Sequence, residues 1–169
     1  MKILITGING QVGHALKQQI ANHELVGLTR QDCDLANPDQ IKQVIDLLQP
    51  ELIINSAAYT NVDQAENEPA LAFQINLDAP RVMAEKAREY NIPLIHFSTD
   101  YVFDGEKKGA YVEDYPTHPL GIYGQSKCAG EEAIQEVGGK FIFLDDELGV
   151  FQHRAQFLPH HKKIKSGAR

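Results

Sequence analysis

The run "YGQSK" sets Tyr123 and Lys127 four positions apart, so within a helix they share one face and stand close together. A phenol, with an ordinary pKa of about 10, is a poor acid–base group at neutral pH. A neighbouring ammonium stabilises the phenolate and brings its titration towards the working range, and the same ammonium can hold the ribose next to a nicotinamide. Upstream, "HFSTDYVFDG" ends an apolar run with Ser98 and Thr99. Hydroxyls at the carboxyl end of a parallel strand lie on the edge where open α/β folds bind ligands. As hydride reaches a carbonyl carbon, negative charge develops on its oxygen; Thr99 can donate to that oxygen and Tyr123 can protonate it. The trio Thr99, Tyr123 and Lys127 predicts carbonyl reduction, against the plainer alternatives of an amphipathic helix with a surface lysine and a hydroxyl bonded to its own loop. His96 and Asp100, which flank the hydroxyls, read as a satisfied strand histidine and a turn-forming acid.

A second constellation opens the chain. "ILITGINGQVGHAL" spaces Gly7, Gly10 and Gly13 directly after one apolar run and at the start of a helical one. Such glycines permit a tight turn, let a pyrophosphate approach the backbone and allow the helix to pack closely on its strand, while the helix N-terminus offers free N–H groups. The next strand ends in "LTRQDCDL", with no acid at its end and Arg30 just beyond. An acid there would bind ribose hydroxyls and repel a 2'-phosphate, whereas an arginine can pair with it, so NADPH is favoured over NADH, with a solvated surface charge as the alternative. Asp34 and Leu35 are expected in a loop after a further short strand, reaching the adenine or capping the helix that starts near Pro38.

These residues need a frame. Apolar, β-branched runs at "KILIT", "LVGL", "LIIN", "LIHFS" and "FIFL" alternate with helical patterns over 11–22, 39–48, 69–90 and 123–136. Near-continuous apolar strands suit a parallel sheet covered on both faces, so the pattern predicts a Rossmann-like doubly wound α/β fold. "NPDQ" places Asn37 at a helix N-cap with Pro38 in the first turn, and "NEPA" puts Asn67 or Glu68 just before Pro69. The segment "DGEKKGAYVEDYPTHPLG" reads as a long surface loop of the kind that often carries function.

Composition narrows the partners. The 169 residues hold 16 Lys and Arg against 23 Asp and Glu, a formal charge of -7, with the small basic cluster "HHKKIK" near the end. No continuous basic face is expected, which argues against nucleic acid and anionic membrane. No apolar run approaches the ~20 residues of a membrane span and no signal-peptide pattern opens the chain, so a cytoplasmic protein is expected. Cys33 and Cys128 are isolated, fit a reducing compartment and read as buried thiols.

With "TGINGQVG", "INSAAYTNVDQAE", "FSTDYVFDG" and "PTHPLGIYGQSKCAGE" in this order, residues 1–144 resemble the dTDP-4-dehydrorhamnose reductases, a branch of the extended short-chain dehydrogenases. The resemblance implies Thr99, Tyr123 and Lys127 as the catalytic set. It implies cofactor contacts from Gly7, Gln11, Val12, Asp34, Leu35, Ala57, Ala58 and Tyr59, with Asn76 supporting the site; Gly10, Gly13, Arg30, Tyr123 and Lys127 complete the expected cofactor surface. The implied reaction is reduction of dTDP-4-dehydro-6-deoxy-L-mannose to dTDP-L-rhamnose with NADPH, with NADH left open, as is a homodimer. Some members carry a glutamate for a magnesium-bound dimer contact where this chain has Ala15, so no metal site is expected. Two alternatives stand beside it: a non-catalytic nucleotide-binding or regulatory subunit, and another extended dehydrogenase such as a nucleotide-sugar epimerase.

Beyond Leu144 the pattern changes. The family continues with an arginine–threonine–serine–tryptophan run and a small C-terminal domain that grips the nucleotide sugar, whereas here "DDELGVFQHRAQF" follows. One codon string for Asp145 to Phe157, read a base later, yields "TTSWVFSSTGRNF". Residues 1–144 are thus expected to form the dinucleotide-binding domain with the catalytic residues, and 145–169 an irregular tail produced by a frameshift near Leu144. Without a second wall to close over the sugar, weak NADPH binding and poor or lost turnover are expected. Sequencing the gene checks this: the threonine–serine–tryptophan reading should appear in the shifted frame, and its absence there rules the frameshift out.

Overall fold

The computed structural model of the chain describes residues 1–20, 22–106, 116–145 and 153–156. Strands β1 (Lys2–Thr6), β2 (Glu24–Leu28), β3 (Leu52–Asn55), β4 (Pro93–Ser98) and β5 (Lys140–Asp145) alternate with helices α1 (Gln11–Gln19), α2 (Pro38–Leu48), α3 (Val62–Ala65), α4 (Pro69–Phe73), α5 (Ala79–Glu89) and α6 (Ile122–Val137). A last strand, β6 (His153–Gln156), follows. The sheet order is β2-β1-β3-β4-β5-β6. The first five strands are parallel, and the chain departs from β1 in opposite directions to β2 and to β3. A crevice opens at the carboxyl ends of the strands where the order reverses, which is where such sheets bind ligands.

Both faces of the sheet are covered. On one, Leu4, Ile53, Leu94 and Phe143 pack with Ile41 and Ile45 of α2, Met83 of α5 and Ile134 of α6. On the other, Ile3, Ile5, Ile54 and Phe97 pack with Val12 and Leu16 of α1. Successive side chains of a strand point to opposite faces, so a strand buried on both reads as an unbroken apolar run, as these do. Asn37 caps α2 as expected, its side chain accepting from the amides of Asp39 and Gln40. Lys86 of α5 binds Asp46 of α2 at 2.5 Å, and Tyr90 donates to the same carboxylate at 2.7 Å, tying the two helices.

The structure departs from the sequence pattern in four places. The helix expected over 11–22 stops at Gln19, because the chain must reverse before pairing begins at Glu24. No strand forms around Asp34; the amides of Asp32 and Cys33 turn back onto the carbonyl of Thr29. The single helix expected over 69–90 is broken by a π-helical turn, Gln74–Asp78, in which Ala79 donates to the carbonyl of Gln74. Pro80 is the cause: it has no N–H to give the carbonyl four residues back, so the helix widens by one residue before α5 resumes. Finally, His153–Gln156, inside the segment expected to be irregular, pairs antiparallel with Phe141–Leu144. The outer edge of β5 offers unpaired backbone groups, and a returning strand satisfies them. The rest of 146–169, and 107–115 of the expected surface loop, lie outside the described residues.

Small residues let α6 approach its neighbours. A Cβ at Gly124 would collide with the carbonyl oxygen of Tyr101, and one at Gly130 with that of Asn76 in the π turn. Backbone cannot yield as a flexible side chain can, so Gly130→Ala is expected to lower stability by about 1–3 kcal/mol, read from the urea midpoint; an unchanged midpoint would contradict this packing.

Candidate active site

The cofactor-type cleft is built from three turns that follow β1, β2 and β3. Gly7 takes a φ of 70°, a conformation open to glycine at no steric cost. Its Cα also lies so near Ala57 that a Cβ would come within 3.0 Å of that residue's backbone. Gly10 closes the turn, its amide donating to the Gly7 carbonyl at 2.9 Å. As N-cap of α1, Gly10 contributes no side-chain cap, which leaves first-turn amides for an anion. A Cβ on Gly13 would strike the Gly7 carbonyl, so glycine there sets how closely α1 approaches the turn.

The cleft has a volume of about 460 Å³. Of the residues expected to touch a cofactor, Gly7, Arg30, Asp34, Leu35, Ala57, Ala58 and Tyr59 line it. Gly10, Gln11, Val12, Gly13, Asn76, Tyr123 and Lys127 are not part of its wall. Asp34 is held by its own neighbourhood: its amide donates to Gln40 Oε1 at 2.9 Å, and its Oδ1 accepts from the amide of Ala36 at 3.1 Å. Beside exposed Arg30, Asp32 accepts from the hydroxyl of Thr29 at 2.6 Å and from its amide at 2.8 Å. Those two bonds, the hydroxyl's first, hold the Asp32 carboxyl below the usual carboxylate range. The Tyr59 hydroxyl donates to Glu68 at 2.8 Å, and the phenol is pushed up, first by burial and then by that bond.

The second cluster lies at the carboxyl end of β4. Lys127 is 2% exposed; its Nζ donates to the carbonyl of Phe97 at 2.5 Å and lies 3.4 Å from His96 Nε2. Tyr123, one turn earlier, packs edge-on against Tyr101 with ring centroids 5.4 Å apart. Thr99 is buried and caps the short turn Asp100–Val102, its Oγ1 accepting from the Tyr101 amide at 3.4 Å and donating to Asp100 Oδ1 at 3.2 Å. Gly124 seats α6 on this turn, so Thr99 and the Tyr123–Lys127 face belong to elements in direct contact.

Asn76 is a clamp. Its Oδ1 accepts from the Tyr59 amide at 2.8 Å, while its Nδ2 donates to the Tyr59 carbonyl at 3.1 Å and to Ser126 Oγ at 3.0 Å. It thereby joins the cleft-lining loop after β3 to α6. Three residues without an assigned part in the sequence pattern complete the frame. Glu66 Oε1 accepts from the amide of Ile122 at 2.8 Å, placing a carboxylate on the first turn of α6, where Gly121 has no side chain to cap it. Ser98 donates to buried Glu131 of α6. Asn55 bonds both Thr6 and His96. Glu66 lies in "NVDQAE", and an acid near a helix start is a readable signal only when both segments are known to meet. Cys33 and Cys128 are buried thiols, each pushed up first by burial.

A Gly-rich βα turn at the switch point of a parallel sheet, together with a Tyr-x-x-x-Lys helix start whose lysine is buried, defines a Rossmann-like chain of the extended short-chain dehydrogenase class. The chain belongs to the family described as the RmlD substrate binding domain, whose pattern matches residues 1–144. It is 42% identical over 143 residues to the dTDP-4-dehydrorhamnose reductase of Burkholderia thailandensis, covering 84% of this chain and 48% of that protein. It is 38% identical over 151 residues to the Escherichia coli enzyme of that name, covering 85% and 50%. The Bacillus anthracis dTDP-4-dehydrorhamnose reductase, solved in complex with NADP, superposes with a TM-score of 0.82 at 36% identity, over 85% of this chain and 52% of that one. The UDP-glucose 4-epimerase of Thermus thermophilus, at 24% identity and a TM-score of 0.73, shares the fold. The chain spans about half the length of the curated relatives it matches. Among the described residues no helix is long and apolar enough to cross a membrane.

Burial, and then the adjacent Lys127 charge, hold the His96 imidazole well below its ordinary titration range. As pH falls past about 6.5 the unfolded chain takes up a proton that the folded chain refuses, so this stability is present above that pH and is lost below it, at up to about 1.4 kcal/mol per pH unit. Urea unfolding from about pH 7 to pH 5 should show that loss, and His96→Gln should flatten it; equal slopes in the two chains would contradict the buried neutral imidazole.

Proposed function

We propose that this chain binds NADPH across the cleft and carries the proton-transfer chemistry that reduces dTDP-4-dehydro-6-deoxy-L-mannose to dTDP-L-rhamnose. The Gly7–Gly13 turn and the first amides of α1, with Gln11 and Val12, receive the pyrophosphate. Arg30 faces a 2'-phosphate, Asp34 and Leu35 meet the adenosine end, and Ala57, Ala58 and Tyr59 flank the opposite wall. The cofactor supplies the hydride. Thr99 donates a hydrogen bond to the keto oxygen, Tyr123 delivers the proton as that oxygen becomes an alkoxide, and Lys127 holds the nicotinamide ribose while favouring the phenolate left behind.

The observation that carries this proposal is the burial of the Lys127 ammonium one turn after Tyr123, at the carboxyl end of β4 and on the same sheet edge as the cleft. A buried ammonium costs several kcal/mol unless it is bonded, so its retention beside a phenol and a ligand crevice points to use rather than to packing. The identities near 40% to named reductases support the substrate class, and the NADP-bound relative supports the cofactor. A cytoplasmic location fits the NADPH supply.

Following NADPH absorbance with and without the dTDP-4-keto sugar tests the proposal. In keeping with the poor turnover expected from the sequence, a slow sugar-dependent loss of NADPH is expected, falling further, roughly 10²- to 10⁴-fold, in Tyr123→Phe while cofactor binding persists. Sugar turnover with no net loss of NADPH would point to epimerisation, and oxidation indifferent to Tyr123 would overturn the assigned proton donor.

A further inference from the structure

Parallel pairing places Thr6 beside Asn55 and Asn55 beside His96, on the sheet face that otherwise carries Leu4, Ile53 and Leu94. Three adjacent strands thus each put a polar side chain into an apolar layer at the same level. All three are buried, at 3%, 1% and 1% exposure. Thr6 Oγ1 lies 2.6 Å from the Asn55 amide oxygen, and the Asn55 amide nitrogen lies 3.0 Å from His96 Nδ1. His96 Nε2 lies 3.4 Å from Lys127 Nζ, which also donates to the Phe97 carbonyl. One end of the row lines the cofactor cleft through Thr6, and the other end is the ammonium.

Donor and acceptor inventory fixes the polarity of this row. An ammonium only donates, so a charged Lys127 requires Nε2 of His96 to accept. The imidazole proton must then sit on Nδ1 and be given to an acceptor. The two ends of the Asn55 amide are isosteric, and with its oxygen towards His96 it takes that proton, while its N–H donates to the Thr6 hydroxyl, which accepts equally well. The opposite polarity aims Nε2–H at the ammonium, two donors facing each other in a buried layer, where an unmet polar group is costly.

We infer that His96 is a positioning residue: as the neutral Nδ1–H tautomer, steered by Asn55 and Thr6, it accepts a hydrogen bond from Lys127 and holds that ammonium charged and in place. The use of the ammonium rests on the reductase proposal; the tautomer does not. Neither Thr6, Asn55 nor His96 needs to touch substrate or cofactor chemistry for this. The row works as a spacer of fixed polarity between the glycine turn and Lys127, so a change at the histidine reaches cofactor binding through the lysine.

Long-range ¹H–¹⁵N spectroscopy on the uniformly labelled chain reads the tautomer directly at neutral pH. A protonated Nδ1 and an unprotonated Nε2 are expected for His96, with Nε2 shifting when Lys127→Met removes its donor. An Nε2–H tautomer or a doubly protonated ring in the unaltered chain would overturn the inference, whether or not NADPH binds. Two variants then test the positioning role through the NADPH dissociation constant. His96→Gln keeps an acceptor within reach of Nζ, whereas His96→Leu does not, and the leucine chain should bind at least about tenfold more weakly than the glutamine chain. Equal weakening in both would reduce His96 to a packing residue. A chain that shows the expected tautomer yet binds no NADPH would overturn the proposed function and leave the tautomer standing.

Discussion

Lys127 keeps an ammonium inside the protein, and most of the surrounding structure follows from having to accommodate it. Taking such a charge out of water costs several kcal/mol, recovered only if its donors all meet acceptors. The Phe97 carbonyl is one, available because β4 ends just beyond it and that strand edge turns away into the Thr99–Val102 segment. His96 is another neighbour. For Nζ to reach both, α6 must lie almost on the strand ends. Gly124 and Gly130 allow that approach, since any Cβ there would meet a backbone carbonyl, and Ser126 bonds Asn76 in the π turn below. The Glu66 carboxylate holds the start of the same helix from a distant segment. Tyr123 inherits its position from these contacts, because a helix fixed at its first turn and along one face leaves little freedom for a residue between them.

The cleft side obeys a different constraint, that of backbone packed against backbone. Gly7 and Gly13 are needed because one takes a left-handed conformation against Ala57 and the other lies against the Gly7 carbonyl. The two halves of the site meet along the strand ends: the loop after β3 lines the cleft through Ala57–Tyr59 and is clamped by Asn76 to α6. Displacing α6 therefore disturbs the cleft wall as well as the placement of Tyr123.

Much of this was legible in the sequence where the cause is local. The parallel strands showed as apolar runs, the N-cap of α2 as Asn37–Pro38, the tight turn into α1 as glycines at fixed spacing, and the Tyr123–Lys127 face as an interval of four. The interrupted helix could also have been read, since Pro80 sits in mid-pattern and must break the ladder there. What was not legible depends on register or on distant contacts. That Thr6, Asn55 and His96 form a row follows only from which residues pair across β1, β3 and β4; each alone reads as a satisfied polar group. Glu66 as a cap for α6, and Asn76 as a clamp rather than a cleft residue, require knowing that segments about 50 residues apart meet, 56 and 50 positions in these two cases. The strand expected before Asp34 fails because Asp32 satisfies Thr29 and curls the chain instead.

The claim on which all this turns is that the buried ammonium and the glycine turn serve one bound dinucleotide. A crystal structure of the chain grown with NADP⁺ measures it most directly. The account predicts the pyrophosphate against the first turn of α1 and a nicotinamide-ribose hydroxyl within about 2.7–3.2 Å of Lys127 Nζ. A dinucleotide bound elsewhere, or one in the cleft with its ribose out of reach of Lys127, would contradict it.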